Sequence, residues 1–129
     1  MTGKSMESLK KILIVDDEVD FAEALGFLLA EYSFSVDWAF SAEEAIVRLE
    51  KNQFDYVISD YFMPGLNGQQ LFNFAQSHQK KCPPFIILSG NVHSINPDRF
   101  KGHLLSIFPK TAHYYEIIKR IQRDVDSHQ

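Results

Sequence analysis

A single cysteine, Cys82, in 129 residues leaves no thiol for it to pair with inside the chain. An internal disulfide is excluded, and this usage suits the reducing cytoplasm. Beside Pro83-Pro84, with no catalytic partner near it in sequence, the thiol reads as an unreactive loop residue. Clustered basic charge is equally scarce. Lys10-Lys11, Lys80-Lys81 and Lys119-Arg120 are the basic pairs, none extends into a stripe, and the net charge is -4. A direct nucleic-acid surface is therefore not expected. No apolar run approaches the roughly 18 residues of a membrane helix, so no membrane partner is expected. The opening MTGKSMESLKK lacks the apolar core of a signal peptide. The histidines (His78, His93, His103, His113, His128) show no i,i+4 pairing and read as surface residues rather than metal ligands.

What remains is an ordinary globular composition, 45% hydrophobic and 23% charged, at a length that suits one domain with one core. We expect a flexible leader over 1–10, the domain over 11–126 and a short tail over 127–129. Four apolar runs, ILIV (12–15), YVIS (56–59), FIIL (85–88) and LLSIF (104–108), are near-continuous, which predicts strands covered on both faces of a parallel sheet. FSVDWAF (34–40) instead alternates, with Phe34, Val36, Trp38 and Phe40 on one side, and predicts an edge strand. Between the runs lie helical stripes: Phe21, Leu25, Leu28, Leu29 and Tyr32; Ala42, Ala45, Ile46 and Leu49; Leu71, Phe72 and Ala75; Tyr114, Ile117, Ile118, Ile121 and Val125. Phe74 and Tyr115 fall off these stripes and are expected at the surface.

Ser41 with Glu44, and Asn67 with Gln70, have capping-box spacing. Residues 91–102 fit the pattern least. Asn96-Pro97 breaks any helix running through them, and Pro97 is placed to open a short helix with Gly102 as its stop. Strand and helix alternate throughout, with a short or irregular fourth helix, which predicts a three-layer, doubly wound α/β sandwich with right-handed crossovers.

In such a sheet ligands bind beyond the carboxyl ends of the strands. Asp16-Asp17, Asp60, Ser89 and Lys110 each follow one of the four continuous runs. Singly, each has an ordinary explanation: a helix cap and dipole partner, a turn residue, a surface charge. Together, on neighbouring strands, they converge. Three carboxylates at one rim repel one another, and desolvation opposes their ionisation. A hard cation relieves both, and Mg²⁺ suits a site of few carboxylates plus phosphate oxygens. A lysine, a hydroxyl and loop N–H groups add phosphoryl donors, and a carboxylate is competent as the nucleophile.

With these residues in place, the chain resembles the receiver domain of bacterial two-component response regulators from about Lys11 to Val125. The matching stretches are ILIVDDE (12–18), YVISDYFMPGLNG (56–68), ILSG (87–90) and FPK (108–110). The most specific element is Asp60, Met63-Pro64 and Gly68 at their spacing. The resemblance implies a flavodoxin-like (βα)5 fold with strand order 2-1-3-4-5. It implies Asp60 as the phospho-acceptor, served by a histidine kinase, a phosphotransfer protein or a small phosphodonor. It also implies Mg²⁺ held by Asp17, Asp60 and the Phe62 carbonyl, with Asp16 acting through a metal-bound water. Ser89 and Lys110 would contact the phosphoryl oxygens. The implied protein is a cytoplasmic monomer or weak dimer, stand-alone or part of a larger chain, catalysing only its own phosphorylation and dephosphorylation and altering the binding of a downstream protein partner.

Three positions depart from the family. Thr111 follows Lys110 where proline is usual, Ile107 stands where an aromatic residue is usual, and 91–102 replaces a regular helix. A receiver-like interaction module that is never phosphorylated is the alternative these departures raise. A Mg²⁺-dependent phosphatase with an aspartate nucleophile needs a second Asp two residues on, where this chain has Phe62.

Overall fold

The computed structural model describes residues 9–78 and 81–128, so the expected leader lies outside them apart from Leu9 and Lys10. Five parallel strands are ordered β2-β1-β3-β4-β5, as expected. They are β1 (Lys11–Val15), β2 (Ser35–Ala39), β3 (Tyr56–Asp60), β4 (Phe85–Ser89) and β5 (Leu104–Pro109). The helices are α1 (Val19–Glu31), α2 (Ala42–Lys51), α3 (Gly68–His78) and α4 (Tyr114–Ser127). Thus α4 runs one residue past the expected domain end at 126.

Successive side chains of a strand point to opposite faces, and the continuous runs exploit both. Leu13, Val15, Val57 and Ile87 pack with Ala45, Leu49, Leu71 and Phe72 from α2 and α3. Ile12, Ile14, Ile58 and Leu88 pack with Leu25, Leu29, Ile117 and Ile121 from α1 and α4. Ser41 caps α2, with the Glu44 carboxylate accepting from Phe40 N–H rather than closing the box on Ser41, and Asn67 with Gln70 forms the full capping box. Glu44 N–H donates to Ser41 Oγ at 3.0 Å. Gln70 N–H donates to Asn67 Oδ1 and Asn67 N–H to Gln70 Oε1, each at 2.9 Å.

Several expectations need correction. β5 was expected to be covered on both faces, yet it is half-buried over Leu104–Phe108 and exposed at Pro109. It is the second edge of the sheet, and the helix that would cover it is replaced by two 3₁₀ turns, Val92–Ser94 and Pro97–Arg99. Pro97 does open the second turn, with Asn96 Oδ1 accepting from Asp98 N–H at 3.0 Å. Tyr32, placed on the α1 stripe, is exposed at the helix C-cap beside the Tyr115 ring. Phe74 is half-buried because it stacks on His78, with ring centroids 4.3 Å apart. Cys82 is buried, and burial pushes its thiol up to about 11.

The β2 edge is closed by local chemistry. Trp38 N–H donates to Asp37 Oδ1, and Arg48 Nε donates to Trp38 O, each at 2.8 Å. Edge strands with occupied backbone groups resist pairing with other chains. The indole also donates from Nε1 to Ala22 O at 2.8 Å and lies against Gly26, where an added Cβ would come 2.4 Å from the ring. Alanine ordinarily favours a helix interior over glycine. Here the indole blocks it, so Gly26→Ala is expected to destabilise the fold by about 1–3 kcal/mol, the usual range for overpacking. Urea unfolding followed by Trp38 fluorescence measures this.

Candidate functional site

The carboxyl edge of the sheet carries the site. β1 is extended by one rung, Asp16 N–H donating to Ala39 O at 3.1 Å, which fixes Asp16 just beyond the strand. Its carboxylate is only 1% exposed, and Oδ1 accepts from Glu18 N–H at 2.9 Å. Asp17, next in the chain, is exposed. Asp60 closes β3, in register with Leu88 of β4, and is 5% exposed.

The chain after Asp60 turns tightly. Tyr61 N–H donates to Leu88 O at 2.8 Å and Gly68 N–H to Tyr61 O at 2.9 Å. A Cβ on Gly68 would lie 2.7 Å from Asp60 O and 3.0 Å from Tyr61 Cα. The Asp60-to-Gly68 spacing of the sequence thus has a packing cause: α3 begins against the backbone of Asp60, and only glycine fits. Gly65 supplies the turn before it, with φ +80°.

Ser89 ends β4 fully buried, and its Oγ accepts from Asn91 N–H at 3.0 Å. Its carbonyl accepts from Lys110 N–H at 2.8 Å, which sets Lys110 at the end of β5. From there Nζ reaches Asp16 Oδ1 and Asp60 Oδ2, each at 3.0 Å, and also the Glu18 carboxylate. The ammonium lies 5.0 Å from the Phe21 ring centroid. Asp16 Oδ2 is also 3.0 Å from Nζ but outside hydrogen-bonding geometry, so this buried oxygen has no hydrogen-bond partner.

Burial pushes the Asp16 carboxyl up to about 6, against the lowering effects of the Glu18 N–H and Lys110. Asp60 is likewise raised, chiefly by burial and with Asp17 adding to it, while Lys110 opposes. Burial would lower Lys110, but its contacts with Glu18, Asp16 and Asp60 outweigh that and raise it. The lysine is therefore a permanent cation facing a surplus of carboxylates.

Asp16, Asp17, Asp60 and Lys110 are thus brought together, with Ser89 one residue beyond Asp60's register partner. Phe62 lies two residues past Asp60 on the loop with its side chain 53% exposed, packed edge-on against Tyr61. One carboxylate oxygen from each of Asp16, Asp17 and Asp60 lies within 4.8 Å of the others. Three carboxylates so placed, with Asp16 keeping a buried oxygen that has no hydrogen bond, form a donor set that fits a hard divalent cation. Glu18, Phe21 and Ser59, whose Oγ donates to Asp60 O at 2.9 Å, escaped the sequence reading. Glu18 alone had a signal there, as the residue extending the acidic pair. All five histidines are exposed, as expected.

Comparison with known proteins gives the family. The family model described as response regulator receiver domain matches residues 12–122. The chain belongs to that family, whose members are signalling domains of two-component systems. Among curated proteins it is 31% identical over 86 residues to the transcriptional regulatory protein ResD of Bacillus subtilis, covering 67% of this chain and 35% of ResD. It is 36% identical over 102 residues to a response regulator receiver protein of Anaeromyxobacter, covering 79% of this chain and 43% of that protein. The chain thus spans well under half the length of these relatives. Among solved structures, response regulator TrrA of Thermotoga maritima, in complex with Mg²⁺-BeF, superposes with a TM-score of 0.78 at 27% identity, covering 89% of this chain and 98% of TrrA. A response regulator from Chloroflexus aurantiacus gives 0.79 at 28% identity, covering 90% and 97%.

The raised Asp16 carboxyl makes a pH prediction. Its folded-state value of about 6 lies above the ordinary 3.8, so between these values the native chain holds more proton than the unfolded one. Stability from this group therefore falls as pH rises through that window. Asp16→Asn, which cannot ionise, is expected to gain on the order of 2–3 kcal/mol relative to wild type between pH 4 and pH 7.5 in chelator. Denaturant midpoints of both proteins at the two pH values provide the check.

Proposed function

We propose that this chain is a phosphorylation-dependent switch of a two-component phosphorelay, with Asp60 as the phospho-acceptor. The observation that carries this reading is the convergence at one sheet edge of Asp16, Asp17 and Asp60 with an ammonium 3.0 Å from both buried carboxylates. An Asp60 oxygen attacks the phosphorus of a phosphohistidine or an acyl phosphate. The O–P bond forms as the P–N or P–O bond breaks, and the leaving nitrogen or oxygen keeps the electron pair, the imidazole taking a proton from solvent. Lys110 and Ser89 meet the phosphoryl oxygens. Both are held by the backbone of β4 and β5, so they act by position and charge, which suits a reaction that asks little other covalent chemistry of the protein.

Asp17, Asp60 and the Phe62 carbonyl would hold Mg²⁺ directly, and Asp16 through a bound water. When bound, the ion neutralises the charge that gathers as carboxylate and phosphoryl group meet. The TrrA complex with Mg²⁺-BeF supports Mg²⁺ as the ion. The proposed donors are a histidine kinase or a phosphotransfer protein, in the cytoplasm. No helix among the described residues is long and apolar enough to cross a membrane. The added charge on Asp60 shifts a conformational equilibrium only through its different contacts in the two states, and a downstream protein reads the shift.

Incubation with Mg²⁺ and acetyl phosphate is expected to add one phosphoryl group to the wild type and none to Asp60→Ala, read by intact-mass spectrometry. A wild type indistinguishable from Asp60→Ala would instead favour the interaction module. That reading draws on the irregular 91–102 segment, two 3₁₀ turns where the family usually has a helix.

Once formed, the phosphoaspartate is open to water. Phe62, two residues from Asp60, carries an exposed ring, and its bulk is the feature proposed to hinder the attacking water. Phe62→Asn is expected to lose phosphate faster than wild type. Decay followed by phosphate release after donor removal measures the difference, and equal rates would contradict the role.

A further inference from the structure

Glu18 has no part in the assignments above, yet it is one of the three carboxylates on Lys110. An ammonium has three protons to donate. In this structure they face Asp16, Asp60 and Glu18, so none is left for an incoming phosphoryl oxygen. One partner has to give way. Asp16 is 1% exposed and fixed by the Glu18 N–H at 2.9 Å, and Asp60 itself carries the new group. Releasing either leaves a buried carboxylate without its cation, which is costly. Glu18 is different, since its side chain is 65% exposed. It is the N-cap residue of α1 but makes no side-chain capping bond. Its carboxylate therefore loses little by turning into water, as expected of a pair at a solvent boundary.

We propose that Glu18 is a positioning residue that occupies the third proton of Lys110 in the resting state and is displaced by the phosphoryl oxygen. This inference rests on the phosphorylation reading of the site. Glu18 has two effects there. It keeps the ammonium extended between β1 and β3, where Asp16 and Asp60 need it, and it competes with the anion that activates the domain. Its removal therefore favours the anion-bound state, whereas the loss of a merely structural contact would not.

The test uses beryllofluoride with saturating Mg²⁺ on the full chain, comparing wild type, Glu18→Gln and Glu23→Gln. Glu23 is an exposed carboxylate one turn further along α1, so its variant controls for net charge. Glu18→Gln is expected to bind beryllofluoride about fivefold tighter than wild type, the size of effect an exposed ion pair allows, with Glu23→Gln close to wild type. The Lys110 ¹³Cε resonance is expected to differ between wild type and Glu18→Gln without ligand, and to coincide once beryllofluoride is bound. Unchanged or weaker binding by Glu18→Gln, a gain matched by Glu23→Gln, or a Lys110 shift that persists in the bound forms would each overturn the role. A wild type that takes up no beryllofluoride would sink the phosphorylation reading, and Glu18's role with it. Uptake by wild type without a Glu18 effect would remove this inference alone.

Discussion

The Lys110 ammonium is what allows two carboxylates to lie buried at the end of a hydrophobic sheet. Asp16 and Asp60 sit at the carboxyl ends of adjacent strands, each almost wholly out of water, and each has Nζ at 3.0 Å. Burying one carboxylate alone costs several kcal/mol unless it is paired or neutralised. Lys110 can serve both only because its own backbone is bonded to Ser89 O at the far side of β4. The side chain then reaches back across the end of the sheet. The order β2-β1-β3-β4-β5 is therefore an electrostatic requirement as much as a topological one. Any order separating β1, β3 and β5 further would strand a charge.

One positive charge does not balance three aspartates. Burial raises the Asp16 and Asp60 carboxyls, the neighbouring carboxylates add to it, and one buried Asp16 oxygen is left without a hydrogen bond. An internally satisfied site would leave no buried oxygen unbonded. Under the proposed function this surplus of negative charge is met from outside, by a cation for the open carboxylate oxygens and an anion for the lysine once a cation is present. The low exposure that makes the site costly also strengthens every interaction it forms with a ligand. Solvent-facing elements temper this, with Asp17 and Glu18 both exposed.

Much of this was legible in the sequence because burial on both faces leaves an unmistakable trace. ILIV, YVIS and FIIL became β1, β3 and β4, and the polar residues ending them fell where parallel strands must place them. The caps at Ser41 and Asn67 were legible for a similar reason, since their partners lie within four residues. What escaped depends on contacts distant in sequence. Gly26 looks like a weak point in a helix until Trp38 is seen lying on it. Tyr32 satisfies the periodicity of α1 but falls at its end, where there is no core left to meet. Glu18 reads as one more acid near a helix start, and its role emerges only when Lys110 arrives from 92 residues away.

The irregular 91–102 segment is where pattern reading had least purchase, and its packing is firmer than its lack of helix suggests. Phe100 is buried and meets the rings of Tyr61 at 6.4 Å and Phe72 at 5.1 Å. The α3 side chains take over the backbone. Gln69 Nε2 donates to Arg99 O at 2.9 Å, and Gln76 Nε2 donates to Lys101 O. A helix would satisfy these carbonyls internally; here a neighbouring helix does it with amides at i and i+7, one face of α3. Tyr61, the residue after Asp60, therefore touches the replaced region directly through Phe100. Contact of this kind is a precondition for coupling between two places in a protein. The loss of a regular helix has not removed it, because one buried aromatic and two glutamines are enough to hold the chain against the site's own loop.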